Sequence, residues 1–541
     1  MTSWSCIVVA VVATLSPPSS ARAGESLHAR IDVLIAAGYP DYPKQAAPVA
    51  GDDEFLRRIY LDLNGTIPTA DEARAFFADP SATKRVAVVD QLLDSPGYAR
   101  RMAQFLDVTL MERRNDSKVP RAAWEEYLRG TVGRNVAYDA FVRELLSADG
   151  ADPKTRPAAK FFLDRDLEPN LATRDLSRVF LGRNLQCAQC HDHPSVADYK
   201  QADYYGILAF LNRSFLFPNA AAPNAVIAEK ADGDVNFVSV FDKAKKQAAT
   251  GPRIPGGNPL DEPTLAKGKE YKTAPAKDVK PVPAYSRRER LAAAITSPTN
   301  PAFARTAVNR LWAMMLGRGL VHTVDWDHPG NPPSHPVLLD LLAAEFAGHG
   351  YDVKWLLREI ALSQTYQRSS EAPARLTEIP PDRYLVAILK PLPAESLAFA
   401  VCQATGQTAL ERTALGAKAT KPAVDARLAA TVAQFRAKFG GRPGEPDDGT
   451  VTTLDQTLFL KNGNVVRGLT LPRIGNLADR LAKLPDSQAA DELFLSVLTR
   501  RPTDDERKDV VAAVTGGANR PAAFGELVWA LVASAEFRFN H

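Results

Sequence analysis

The stretch DDEFLRRIYLDLNGTIPTADEARAFF, residues 52–77, reads as two helices and the corner between them. Asp52 and Asp53 precede Phe55, Leu56, Ile59 and Leu63, whose spacing fits one buried helical face. Asn64-Gly65 supplies a C-terminal cap. Thr69 followed by Glu72 is a capping box, opening a second helix through Ala73, Phe76 and Phe77.

The same pattern continues outward. Ser95-Pro96 places an N-cap and a first-turn proline ahead of Met102, Phe105, Leu106 and Leu110. Thr173 opens a helix with Leu176, Val179, Phe180 and Leu185 on one face, which delivers Cys187 at or just past its end. Ser286 and Glu289 form another capping box, and AFARTAVNRLWAMMLGRGLV carries Phe303, Ala307, Leu311 and Met314 before Gly317 and Gly319. Further helices are expected over 337–346, 353–364, 393–404, 425–439, 489–499, 503–514 and 521–535. Strand-like alternation is confined to Val235–Phe241, a possible small hairpin, and Lys243–Pro283 is rich in Lys, Pro and Gly, as a surface linker is. The expected class is mainly α: helical domains over 24–234 and 285–541, joined by a hairpin and linker over 235–284. IPTADEAR (67–74) and RPTDDERK (501–508) echo each other, which the capping box alone can produce.

The 541 residues carry a formal charge of +3 with both signs interspersed, so no broad basic face is available for nucleic acid. The N-terminus has an apolar run, Cys6 to Leu15, and then Ala21-Arg22-Ala23, the form of a secretory signal peptide over 1–23 cleaved before Gly24. That run falls short of the ~20 residues needed to cross a bilayer, and no later segment is long and apolar enough. The expectation is an exported protein, periplasmic or extracellular. Cleavage removes Cys6 and leaves Cys187, Cys190 and Cys402, too few for a disulfide framework.

The block LGRNLQCAQCHDHP (181–194) asks for its own explanation. Cys187-Ala-Gln-Cys190-His191 is the C-x-x-C-H pattern of c-type haem attachment: two thiols one turn apart add to the haem vinyl groups, and the next residue's imidazole reaches the iron. The pattern arises by chance on the order of once in a few thousand such chains. A rival set, Cys187, Cys190 and His193, has zinc spacing, with Asp192 as a possible base. A redox or structural thiol pair is the third reading. A sixth haem ligand would come from Met102, Met111, Met314, Met315, His335 or His193, although Met at helical spacing is ordinary core filler.

HTVDWDHPGNPPSHP (322–336) is a second candidate, either a metal or substrate loop or a helix connection turned by Asn331 and the prolines with Ser334 capping the next helix. Asn331, His335 and Arg310 are the residues of a possible second site, with Arg310 a carboxylate clamp or a structural ion pair. Cys402 sits among apolar residues as a small hydrophobe.

Taken together, FLRRIYLDLNGTIPTADEARAF, FLGRNLQCAQCHDHP, FARTAVNRLWAMMLGRGLV, GNPPSHPVLLDLLAAEF, QTLFLKNGN and WALVASAEFRFNH resemble exported proteins abundant in Planctomycetes and their relatives. Those proteins carry paired domains of unknown function and are described as cytochrome c-associated. The resemblance covers nearly the whole chain after residue 23. It puts the family's Cys-x-x-Cys-His-x-His-Pro block on Cys187 to Pro194 and its Asn-Pro-Pro-Ser-His-Pro block on Asn331 to Pro336. It implies redox chemistry near polysaccharides, with a partner protein supplying the additional cytochrome-like or carbohydrate-binding modules of larger relatives. The leading expectation is an exported haem c protein acting in electron transfer or a haem-dependent redox step with a redox partner protein. The alternatives are a zinc-dependent enzyme and a non-catalytic binding or scaffold protein.

Overall fold

The computed structural model describes residues 24–218, 225–374, 376, 378–446, 453–515 and 519–541. The expected signal peptide, 1–23, lies outside them. The chain is mainly α, and among the described residues strands occur only in short antiparallel pairs.

The opening stretch folds as its caps dictate. A helix over Asp52–Ile59, acidic in its first turn and basic in its last, runs into a π-helical turn over Tyr60–Asn64. Gly65 closes it at φ +66°, the left-handed conformation a residue without Cβ adopts freely. Both bonds of the Thr69/Glu72 capping box are made, starting the helix Ala70–Ala78. Ser95 accepts from the Tyr98 amide and opens Pro96–Met111. Thr503 and Glu506 exchange the same pair of bonds as Thr69 and Glu72, so the echo between 67–74 and 501–508 is an echo of capping boxes.

Two differences from the sequence expectation matter. The helix of residues 169–181 ends at Gly182 (φ +64°), so Leu185 and Cys187 lie beyond it. Cys187 opens a separate 3-10 turn, Cys187–Gln189, with Cys190 just past its end, because Gly182 reverses the chain and its left-handed backbone sits against Thr306, where a Cβ would come within 2.9 Å of Oγ1. Second, His335, not Ser334, is the residue before the helix Pro336–Gly348, and no side chain caps that helix.

The expected hairpin forms between Val235–Phe237 and Ala248–Thr250. An unexpected one joins Ser214–Phe217 to Val226–Glu229. The segment 243–283 is tied down: Arg253 pairs with Asp203 at 3.1 Å, and Glu262 with Arg213 and Arg287.

Hydrophobic packing does not divide at this segment. One core runs from Leu27 to Leu385, with Leu495, and so draws on helices from both sides of it. The second gathers residues 392–537 together with Leu61 and Ile67. Across the seam, buried Arg100 donates to Asp425 at 2.8 Å on the helix Lys421–Phe439, with Arg129 and Lys421 also at that carboxylate. Burial, and then repulsion from Arg100, pushes the Lys421 ammonium down to about 8. The unfolded chain holds that proton up to about pH 10.4, so folding gains stability from this group as pH rises from 8 to that value, and carries the full cost below 8. We expect Lys421→Met to be more stable than wild type at pH 7, by about 1–3 kcal/mol, with the gap closing by pH 10 in urea unfolding.

Candidate functional site

The Cys-His block lies on the surface. Cys187 and Cys190 are exposed free thiols. His191 donates from Nδ1 to its neighbour's carbonyl, Asp192 O, at 2.6 Å, which leaves Nε2 as the unprotonated nitrogen of a neutral ring. The hairpin segment covers this turn: Val240 N donates to Cys190 O at 3.0 Å, and the Phe241 ring sits 4.6 Å from the His191 ring. Val240 and Phe241 are nevertheless 66% and 73% exposed, an apolar strip beside the two thiols.

His193 is arranged differently. Its Nδ1 accepts from the Ser195 and Val196 amides at 3.2 and 3.0 Å, so the proton of a neutral ring sits on Nε2. Asp192 accepts from the Gln201 amide at 2.8 Å and meets Lys200 at 3.4 Å, securing the start of the helix Gln201–Leu211. Among the described residues, no three His, Cys, Asp or Glu side chains converge as a metal site.

The loop 322–336 docks on this block. Trp326 bridges Arg183 through the backbone, and Asp327 N donates to Gly182 O at 2.9 Å. The His193 ring packs edge-on to Tyr199 and Trp326, while His328 packs against the same two residues from the loop side. Tyr199 OH donates to Asp327 O at 3.2 Å. Buried Asp325 anchors the loop, taking Arg178 on Oδ2 at 3.0 Å and Arg310 on Oδ1. On its far side His322, Thr323 and Val324 line a cavity.

The three second-domain candidates therefore go to three places. Arg310 holds Asp325 and lines the cavity. Asn331 is a turn residue, its amide donating to Trp326 O at 2.8 Å. His335 is buried against Tyr39, Tyr384 and Gly38, and burial holds its imidazole below the usual histidine range. Met102, Met111 and Met315 are core residues, and Met314 borders the cavity. Burial pushes the Cys402 thiol up to about 12, an inert packing residue. Sequence reading missed Tyr199, Trp326 and His328 as one aromatic cluster, although the Trp-Asp-His string was visible in the loop.

Residues 30–215 match the model of a protein family described as "protein of unknown function (DUF1549)", and residues 287–442 match that of a second, "protein of unknown function (DUF1553)". No curated protein and no solved structure matches the chain. The Cys-His block falls in the first match and the loop docked on it in the second, so the contact between them joins the two domains.

Proposed function

We propose, for a chain that carries these two paired domains, that Cys187 and Cys190 attach a haem c and that His191 is its axial ligand, in an exported protein serving electron transfer or a haem-dependent redox step. The observation that carries this reading is the His191 ring: its Nδ1–H is held by a backbone carbonyl beside two unbridged thiols. A histidine that ligates a metal is commonly oriented through its other ring nitrogen in this way. The bound iron would supply one-electron chemistry. Val240 and Phe241 would give the macrocycle an apolar edge, and the loop 322–336 would brace the Cys-His block from the other side. Trp326 and His328, packed over the buried Tyr199 ring, would face a redox partner protein.

The zinc alternative asks more of the molecule. His193 would have to release two backbone amides to free its only unprotonated nitrogen. The two readings separate by substitution. His193→Ala is expected to keep covalent haem at one equivalent, and His191→Ala to lose it, in protein made where c-type haem is assembled. Bound zinc that persists in His191→Ala and vanishes in His193→Ala would reverse the assignment.

A further inference from the structure

A cavity of about 370 Å³ opens at the seam of the two cores, within the range of small-molecule sites. Its walls take Phe105 and Met314 from the side of the first core and Leu61 and Leu392 from the second. Exposed His322, Thr323 and Leu389 stand at its mouth.

Six cationic side chains and three carboxylates line it, and most are already matched. Asp62 accepts from Tyr366, Lys390 and Asn540 at 2.7–2.8 Å. Glu112 holds Arg114 and Arg178, and Glu395 holds Arg113 and Arg436. Arg310 is held by Asp325. That leaves Arg101 and Arg318: among the described residues, neither guanidinium has a hydrogen bond or ion pair. Arg101 is only 6% exposed. Its stem is wedged on Gly65, where a Cβ would come within 2.9 Å of Cδ, so the head is held in place.

A guanidinium buried without an acceptor is costly, and an oxyanion from outside the chain would remove that cost. Its planar fork matches a carboxylate in two parallel hydrogen bonds. The three wall carboxylates repel a multiply charged head, and the apolar walls suit a hydrocarbon body. We propose that this cavity binds a small organic monocarboxylate, its carboxylate on Arg101 and its apolar body between Phe105, Val108, Met314 and Leu392. This assignment is independent of the haem reading, because every atom it uses belongs to the chain.

Calorimetric titration of the full chain with acetate, benzoate, benzamide and inorganic phosphate tests it. Benzoate is expected to bind best, benzamide not at all, and phosphate weakly. Arg101→Met should weaken benzoate at least tenfold while leaving the Tm of the free protein unchanged or higher, since a buried charge without a hydrogen-bond acceptor has gone and only its longer-range attraction to Asp62 and Glu395 is lost with it. Arg318→Gln, a half-buried position that folding tolerates, should weaken it several-fold and reduce the salt dependence of binding. The proposal is overturned if benzoate and benzamide bind alike, if phosphate binds more tightly than benzoate, if no acid binds at millimolar concentration, or if both variants bind benzoate as wild type does.

Discussion

Replacing Asp325 with alanine is expected to destabilise the protein by about 3–5 kcal/mol, the range for breaking a buried ion pair from one side. Asp325 is 4% exposed and joins Arg178 of the helix Pro169–Leu181 to Arg310 of the helix Pro301–Leu316. Arg178 would retain Glu112, but Arg310 would keep only the Arg178 carbonyl, at 3.1 Å. The cost is therefore the stranding of a largely buried guanidinium more than the loss of one attraction. Asp325→Asn preserves the shape and an oxygen acceptor, and should cost less than half as much. In the alanine variant the loop 322–336 loses its anchor, so Trp326 emission should shift to the red, and in the asparagine variant the shift should be smaller. Urea unfolding of the three proteins measures the order; a loss under about 1 kcal/mol for Asp325→Ala, the size of an exposed ion pair, would mean that the loop is held by its backbone contacts alone.

The second large effect concerns cofactor and not stability. Cys187→Ala/Cys190→Ala should take covalently bound haem from one equivalent to none. Both thiols are exposed and neither is bridged, so the fold should lose no more than about 0.5 kcal/mol. The pairing of these results is what distinguishes cofactor attachment from a structural role. If the double variant unfolds several degrees early and no haem was present in the parent, the block is a staple for the 3-10 turn and the docked loop.

The helices were legible because their ends are written in local chemistry. Thr69 with Glu72, Ser95 with Pro96, and Gly65 after Asn64 act within four residues, and the structure uses each as the sequence predicts. The Cys-His block was legible for the same reason, its thiols and imidazoles being neighbours in sequence. What could not be read is set by distance along the chain. Asp62 looks like one polar residue in an apolar run, yet it is the acceptor for Tyr366, Lys390 and Asn540, more than 300 positions away. Asp325 and Arg178, 147 positions apart, carry no local sign of each other. Arg310, Asn331 and His335 lie close in sequence and were grouped for that reason; a helix, a proline-rich turn and a buried cap position carry them apart. The core shared across residues 235–284 has the same origin, since composition marks where a chain is polar, not which helices pack together.

The central claim is that His191 and the two thiols before it, Cys187 and Cys190, hold a haem. Its most direct test is the chain of residues 24–541, exported in a host with active c-type haem assembly, extracted with acid and acetone, and examined as the pyridine haemochrome with metal analysis on the same sample. The account predicts haem that stays with the protein through extraction, about one equivalent per chain, with the α-band of a doubly thioether-linked c-type haem. A colourless protein carrying about one equivalent of zinc would contradict it, and would make Cys187, Cys190 and a freed His193 the site to pursue.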